Sequence, residues 1–259
     1  MEETPKTNKN ELPFSGKLID SDVTEKNRGF GKLNEVENNP NKIIRIVRGY
    51  DEFVDNNKII ELIRADKKLF KELETEYDIL VPADFLIGKD KKGDKIAYSI
   101  VDRIHGKNLE KVDRSNEVAV QVEALFASVA KYFLDKFVKN SLYLCDIGNL
   151  EQYVYGRKNG EQEDKIYLVD TDLAVSNNRI DMYLVMSWLV RNISKMERDF
   201  GTRFKEARKY VSQFVNQPLP EEADDSEKDD INQLINKIKI FLNDREFSFD
   251  PETVIPQKK

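Results

Sequence analysis

The chain has 259 residues, 39% of them hydrophobic and 35% charged, with a net charge of −6 at pH 7. That length can bury a core, and the acidic balance speaks against coating a nucleic acid, so no nucleic-acid partner is expected. A single cysteine, Cys145, and a single histidine, His105, exclude a disulfide framework, Cys-rich zinc sites and any site needing two imidazoles, leaving carboxylates, amides and Lys/Arg for polar chemistry.

Residues 1–16 are polar with few apolar anchors and are expected to be irregular. They hold no apolar core of a secretory signal, so a cytoplasmic protein is expected; signal-less export to another cell would read the same. From Lys17 to Val47 the β-branched runs LIDSDV and KIIRIV predict strands. Gly29, Gly31 and the turn segment ENNPN lie between them, as in a β-meander. A helix is predicted over 51–77, where Ile59, Ile63, Phe70, Leu73 and Tyr77 form one stripe. The runs DILVPADFLIG and KIAYSIVDRI predict two more strands, joined at KDKKGD.

After His105-Gly106 the pattern turns helical. A strong amphipathic helix is predicted over 116–139, with Asn116 as cap candidate. Two strands, QYVYG and KIYLVD, follow. Helices are then predicted over 180–198, 202–215 and 231–243, with QPLPEEADDSEKDD read as a solvated acidic loop. The longest apolar stretch, Tyr183–Val190, falls far short of the ~20 residues a membrane helix needs, so no membrane span is expected. Strands and helices are segregated, which predicts an α+β fold rather than a doubly wound sheet.

Several segments carry residue types suited to chemistry. Gly29-Phe30-Gly31-Lys32-Leu33-Asn34-Glu35-Val36 reads G-x-G-x-x-N-x-V, a turn whose amides can approach a phosphate; a plain hairpin turn reads the same. Arg45 stands in the apolar strand IIRIV. Asp66 stands in the apolar stripe of the long helix, where a carboxylate is costly unless paired. An Asp66–Arg45 pair accounts for both, with Glu61 and Glu72 as rival acids that point away from the stripe. Asp146 falls at the end of the short strand-like YLC. The strand IYLV delivers Asp170, with Asp172 two residues on. Closely spaced carboxylates repel unless a cation or proton intervenes, and oxygen-only ligands suit Mg²⁺ or Mn²⁺.

In order and spacing, residues 17–200 resemble the protein-kinase-like fold, nearest its aminoglycoside- and small-molecule-kinase-like branch. The resemblance implies a bilobal molecule. Its N-lobe, residues 17–104, is β-rich with one long helix, and its mostly helical C-lobe is residues 105–259. It implies ATP as nucleotide, with Gly29 and Gly31 in the phosphate loop. Arg45 replaces the usual lysine, and Asp66 the helix glutamate that pairs with it. YSIVDRIHGKNL resembles the hinge, with backbone groups of Asp102 and Ile104 offered to adenine. Leu144-Cys145-Asp146 resembles the catalytic loop, and Asp146 would accept the acceptor's proton. Gln152 stands for the metal-binding asparagine, with Glu151 and Asn149 as rivals. Asp170 would hold Mg²⁺ or Mn²⁺, and Asp172 would add a ligand. No long activation segment follows Asp172, which fits a small-molecule or divergent kinase. The resemblance therefore implies phosphate transfer to a hydroxyl of a small molecule or protein. A pseudokinase-type binding protein is the alternative, and a metal-dependent glycosyltransferase using D-T-D ranks third.

Overall fold

The computed structural model describes residues 14–18, 33–36, 39–46, 56–89, 95–170 and 174–244. Gly29, Gly31, Gly93 and Asp172 lie outside the described residues. The described chain is mixed: small sheets and helices in an α+β arrangement.

Five antiparallel strands form the first sheet, in the order β1-β2-β3-β5-β4. They are β1 (Phe14–Leu18), β2 (Leu33–Val36), β3 (Asn39–Ile46), β4 (Ala83–Lys89) and β5 (Lys95–Asp102). Two expectations are corrected here. β1 begins inside the segment read as irregular, and Asn39, Pro40 and Asn41, read as turn, open β3. Proline is tolerated at the start of a strand because few ladder N–H groups are needed there.

Helix α1 (Asn56–Tyr77) joins this sheet to the rest of the molecule. Phe70, Leu73 and Tyr77 of the predicted stripe are buried, and so is Leu69 beside them; the side chains of Ile59 and Ile63 lie outside the described residues. Phe70 packs on Phe85 of β4 with ring centroids 4.8 Å apart. Tyr77 meets Tyr132 edge-on at 5.2 Å and donates to Asp135 at 3.0 Å. Both partners lie on α2 (Asn116–Lys139). On the same interface the nearly buried Lys136 of α2 pairs with Glu72 at 2.6 Å.

The rest is mostly helical. A second sheet, in the order β6-β8-β9, uses β6 (Ile104–Asn108), β8 (Tyr153–Lys158) and β9 (Lys165–Leu168). Gly106 and Gly156 face each other in it, and a Cβ on Gly106 would sit 2.0 Å from the Tyr155 carbonyl. Only glycine permits that approach. A two-stranded pair joins β7 (Tyr143–Leu144) to β10 (Val175–Ser176). Helices α3 (Arg179–Phe200), α4 (Lys205–Val215) and α5 (Asp225–Asn243) follow. Apolar side chains of α1 to α5 share one core with β4 and β7 to β9. No helix among the described residues is long and apolar enough to cross a membrane.

Helix ends supply two further corrections. Ser115, not Asn116, caps α2: its side chain accepts the Val118 N–H at 3.3 Å. The acidic stretch is not all loop. Asp224 and Glu227 form a reciprocal capping box, and α5 starts at Asp225. Carboxylates in a first helical turn are stabilised by its unpaired amides and dipole, so acidic patterning here starts a helix. Asp224→Ala is expected to cost about 1 kcal/mol, read as a lower midpoint in urea unfolding. An unchanged midpoint would show the box to be idle.

Candidate functional site

Two segments from distant parts of the chain bring the candidate carboxylates together. Leu144 ends β7, and Asp146 opens a short 3₁₀ turn, Asp146–Gly148. β10 pairs alongside β7, and the Cys145 N–H donates to the Ala174 carbonyl at 2.8 Å. Asp170 follows β9, whose end is held twice. Leu168 N–H donates to Leu80 and Val169 N–H to Gln152, both at 2.9 Å. The charge of Asp170 is felt at Asp146. Burial first, and then Asp170, hold the Asp146 carboxyl above the usual carboxylate range, against a hydrogen bond from the Ala174 amide.

The loop bearing Asp146 is braced by buried tyrosines and an amide. The Leu144 N–H donates to the Tyr132 hydroxyl at 2.9 Å, and Tyr153 donates to the Ile147 carbonyl at 2.6 Å. Asn192 of α3 donates to the Gly148 carbonyl at 2.8 Å. Buried aromatic O–H groups that each find a partner make such a loop rigid. Cys145 sits beside Asp146. Burial, then the charges of Asp146 and Asp181, push its thiol up to about 11, so it is protonated at neutral pH and a poor nucleophile.

The other predicted positions fall as follows. Gln152 ends a second 3₁₀ turn, Leu150–Gln152, and its carbonyl holds the strand end that delivers Asp170. Its rivals sit next to it: Asn149 caps that turn by accepting the Glu151 N–H at 3.2 Å, and both line the same cleft as Asp146. Arg45 lies in β3 opposite Leu33 and Ser99, and Asp66 is half-buried in α1. Their pairing, and the side chain of Glu61, lie outside the described residues. Glu72, the other rival acid, pairs with Lys136 of α2 at 2.6 Å.

Asp102 ends β5. Its N–H donates to the Pro82 carbonyl at 2.7 Å. Its carboxylate pairs with Lys42 at 2.9 Å and Lys158 at 3.4 Å. Burial works to raise its pKa, but Lys42 and then Lys158 hold it below the usual value. Ile104 opens β6 opposite Lys158, and His105 is exposed opposite Arg157.

Among the described residues no group of three or more His, Cys, Asp or Glu side chains could hold a metal. Asp146 and Asp170 are the carboxylates that meet here, and carboxylate oxygen is a ligand type that suits a hard divalent cation.

A cleft of about 660 Å³ opens beside Asp146. Cys145, Asp146 and Asn149 line one wall, and Trp188, Arg191 and Lys195 of α3 line another. Sequence reading missed these α3 residues because YLVMSWLV reads as core. The available signal was the run Trp188, Arg191, Lys195, Arg198. At about 100° per residue it keeps to one side of the helix.

No protein-family model matches this sequence, and no curated protein matches it. Among solved structures the chain is similar to WbdD, known from a crystal structure, at 12% identity and a TM-score of 0.35. The likeness covers 80% of this chain and 48% of that one, so this chain spans about half the length of WbdD. It is also similar to wild-type aminoglycoside 2′-phosphotransferase-IIIa in its GDP complex. There the identity is 12% and the TM-score 0.34, over 87% of this chain and 88% of that one.

Proposed function

We propose that the chain is an ATP-dependent phosphotransferase of an atypical, kinase-like kind, with an N-lobe of residues 17–104 and a helical C-lobe of residues 105–259. The observation that carries this reading is the meeting of Asp146 and Asp170, delivered by two separate strand ends, beside an open cleft. Adenine would lie against the backbone of Asp102 and Ile104, and the phosphates would run toward Gly29, Gly31 and Arg45. Asp146 would take the proton of an acceptor hydroxyl as its oxygen attacks the γ-phosphorus. The bond from that phosphorus to the β–γ bridging oxygen breaks, and ADP leaves. Asp170, Gln152 and Asp172 would hold Mg²⁺ or Mn²⁺, which would supply charge neutralisation. The raised pKa of Asp146 suits a proton acceptor, since a more basic carboxylate takes a proton more readily.

The test is a thermal-shift titration with ATP, with and without Mg²⁺ or Mn²⁺, on the wild type and on Asp170→Ala. A ligand that binds only the folded state at a hundredfold excess over Kd stabilises by about 2.7 kcal/mol. At roughly 2–4 °C per kcal/mol that is a rise of several degrees. The rise is expected with metal present and is lost in Asp170→Ala. No shift with any nucleotide would overturn the reading in favour of a protein-binding role. A shift without transfer to any acceptor would make the chain a nucleotide-binding pseudokinase.

A further inference from the structure

We infer that the cleft beside Asp146 takes a small acceptor that carries an aromatic or other flat apolar body and an anionic group, a carboxylate or a phosphate. The inference rests on the phosphotransferase reading for its reacting hydroxyl, and on α3 for its specificity.

Trp188, Arg191 and Lys195 project from one side of α3 into the cleft. Trp188 is 44% exposed, an unusual state for so large an apolar ring in a chain with an ample core. Its exposed face is a stacking surface. Arg191, one turn further on, is exposed and has no ion-pair or hydrogen-bond partner among the described residues. Its planar fork matches a carboxylate or phosphate in two parallel hydrogen bonds. Lys195 is spoken for, since it pairs with Glu110 at 2.7 Å.

The spacing suits one molecule. Val185 and Asp146 line the same cleft. From the level of Val185 to that of Arg191 is about 9 Å along the helix at about 1.5 Å per residue. A molecule with a hydroxyl at one end, a ring over Trp188 and an anion at Arg191 covers that length, and Asp146 lines the same cleft. Glu151 also lines this cleft, and its carboxylate disfavours an anion beside it. The same carboxylate makes a cationic acceptor the competing chemistry, and the test sets the two against each other.

Trp188 is the chain's only tryptophan, so its fluorescence reports on this cleft alone. The probes are 4-hydroxyphenylacetate and tyramine, which share a hydroxyphenyl ring and carry opposite charges. The anion is expected to quench or shift Trp188 emission at concentrations about tenfold below those the amine needs. Arg191→Gln is expected to weaken the anion about tenfold with no change in melting temperature, and Arg191→Lys to recover part of the loss. The inference is overturned if the amine binds as well or better, if neither probe binds, or if Arg191→Gln leaves the anion unaffected. The ATP–metal thermal shift is run on the same samples. Nucleotide binding without anion preference defeats the inference and leaves the phosphotransferase reading standing. Anion preference without nucleotide binding leaves an anion seat but overturns its role as an acceptor site.

Discussion

On the phosphotransferase reading proposed above, Asp146→Asn is expected to lose phosphate transfer by about 10²–10⁴-fold while raising the melting temperature. The first half follows from the proton acceptor's share of such a reaction. The second follows from the electrostatics of the site. Burial and the neighbouring charge of Asp170 raise the Asp146 pKa in the folded chain. A carboxyl with a raised folded-state pKa contributes stability that is fully present below its unfolded pKa. That contribution is lost as pH rises through the folded value. Above that folded value the ionised wild-type carboxylate therefore costs stability, and a neutral amide of the same shape relieves it. The matching pH profile has transfer rising from acid pH through a midpoint above that of an ordinary aspartate. Activity loss with a lowered melting temperature would assign Asp146 a structural role. Unchanged transfer would remove it from the mechanism.

Glu197→Ala is expected to destabilise the helical region by about 3–5 kcal/mol. Glu197 is fully buried and Arg208 nearly so. Their contact is two-pronged: Nε to Oε1 at 2.7 Å and Nη2 to Oε2 at 2.5 Å. Glu197 also accepts the Phe204 N–H at 2.7 Å, where Phe204 caps α4 with no side-chain bond of its own. Arg208 donates to the Phe241 carbonyl at 2.6 Å and stacks on the Phe241 ring at 3.9 Å. One pair thus ties α3, α4 and the end of α5. Removing the acid leaves a buried, uncompensated guanidinium, and that charge is the source of the cost. Urea unfolding should show the loss, and a change below about 1 kcal/mol would refute it. The double variant Glu197→Leu/Arg208→Met should recover much of it, because apolar side chains of similar volume carry no charge to desolvate.

The two results separate cleanly. The first moves activity and stability in opposite directions, whereas the second lowers stability from a place remote in sequence from either carboxylate of the site.

The periodic elements were legible in the chain because period alone encodes them. The stripe of α1, the helix over 116–139 and the alternating runs of β4, β5, β8 and β9 stand where patterning puts them, since burying one face is a local requirement. Boundaries were less legible. The acidic run before α5 looked solvated by composition, and its reciprocal cap is a matter of backbone geometry. Asp146 and Asp170 were legible as carboxylates at strand ends. That Asp146 feels the charge of Asp170 was decided only when β10 paired with β7, and when the end of β9 was hydrogen-bonded to Gln152. No spacing along the chain encodes that meeting. Lys136 reads as a surface lysine and Glu72 as a solvated acid, yet they form a nearly buried pair across α1 and α2. The cleft was hidden for the same reason. Trp188 belongs by composition to an apolar run, and only the packing of α3 against the Asp146 loop leaves it half-exposed. The sequence by itself determined which residues could do chemistry and which faces had to be buried. Tertiary structure decided which charges meet and which ring stays uncovered, because both depend on distances between segments far apart in the chain.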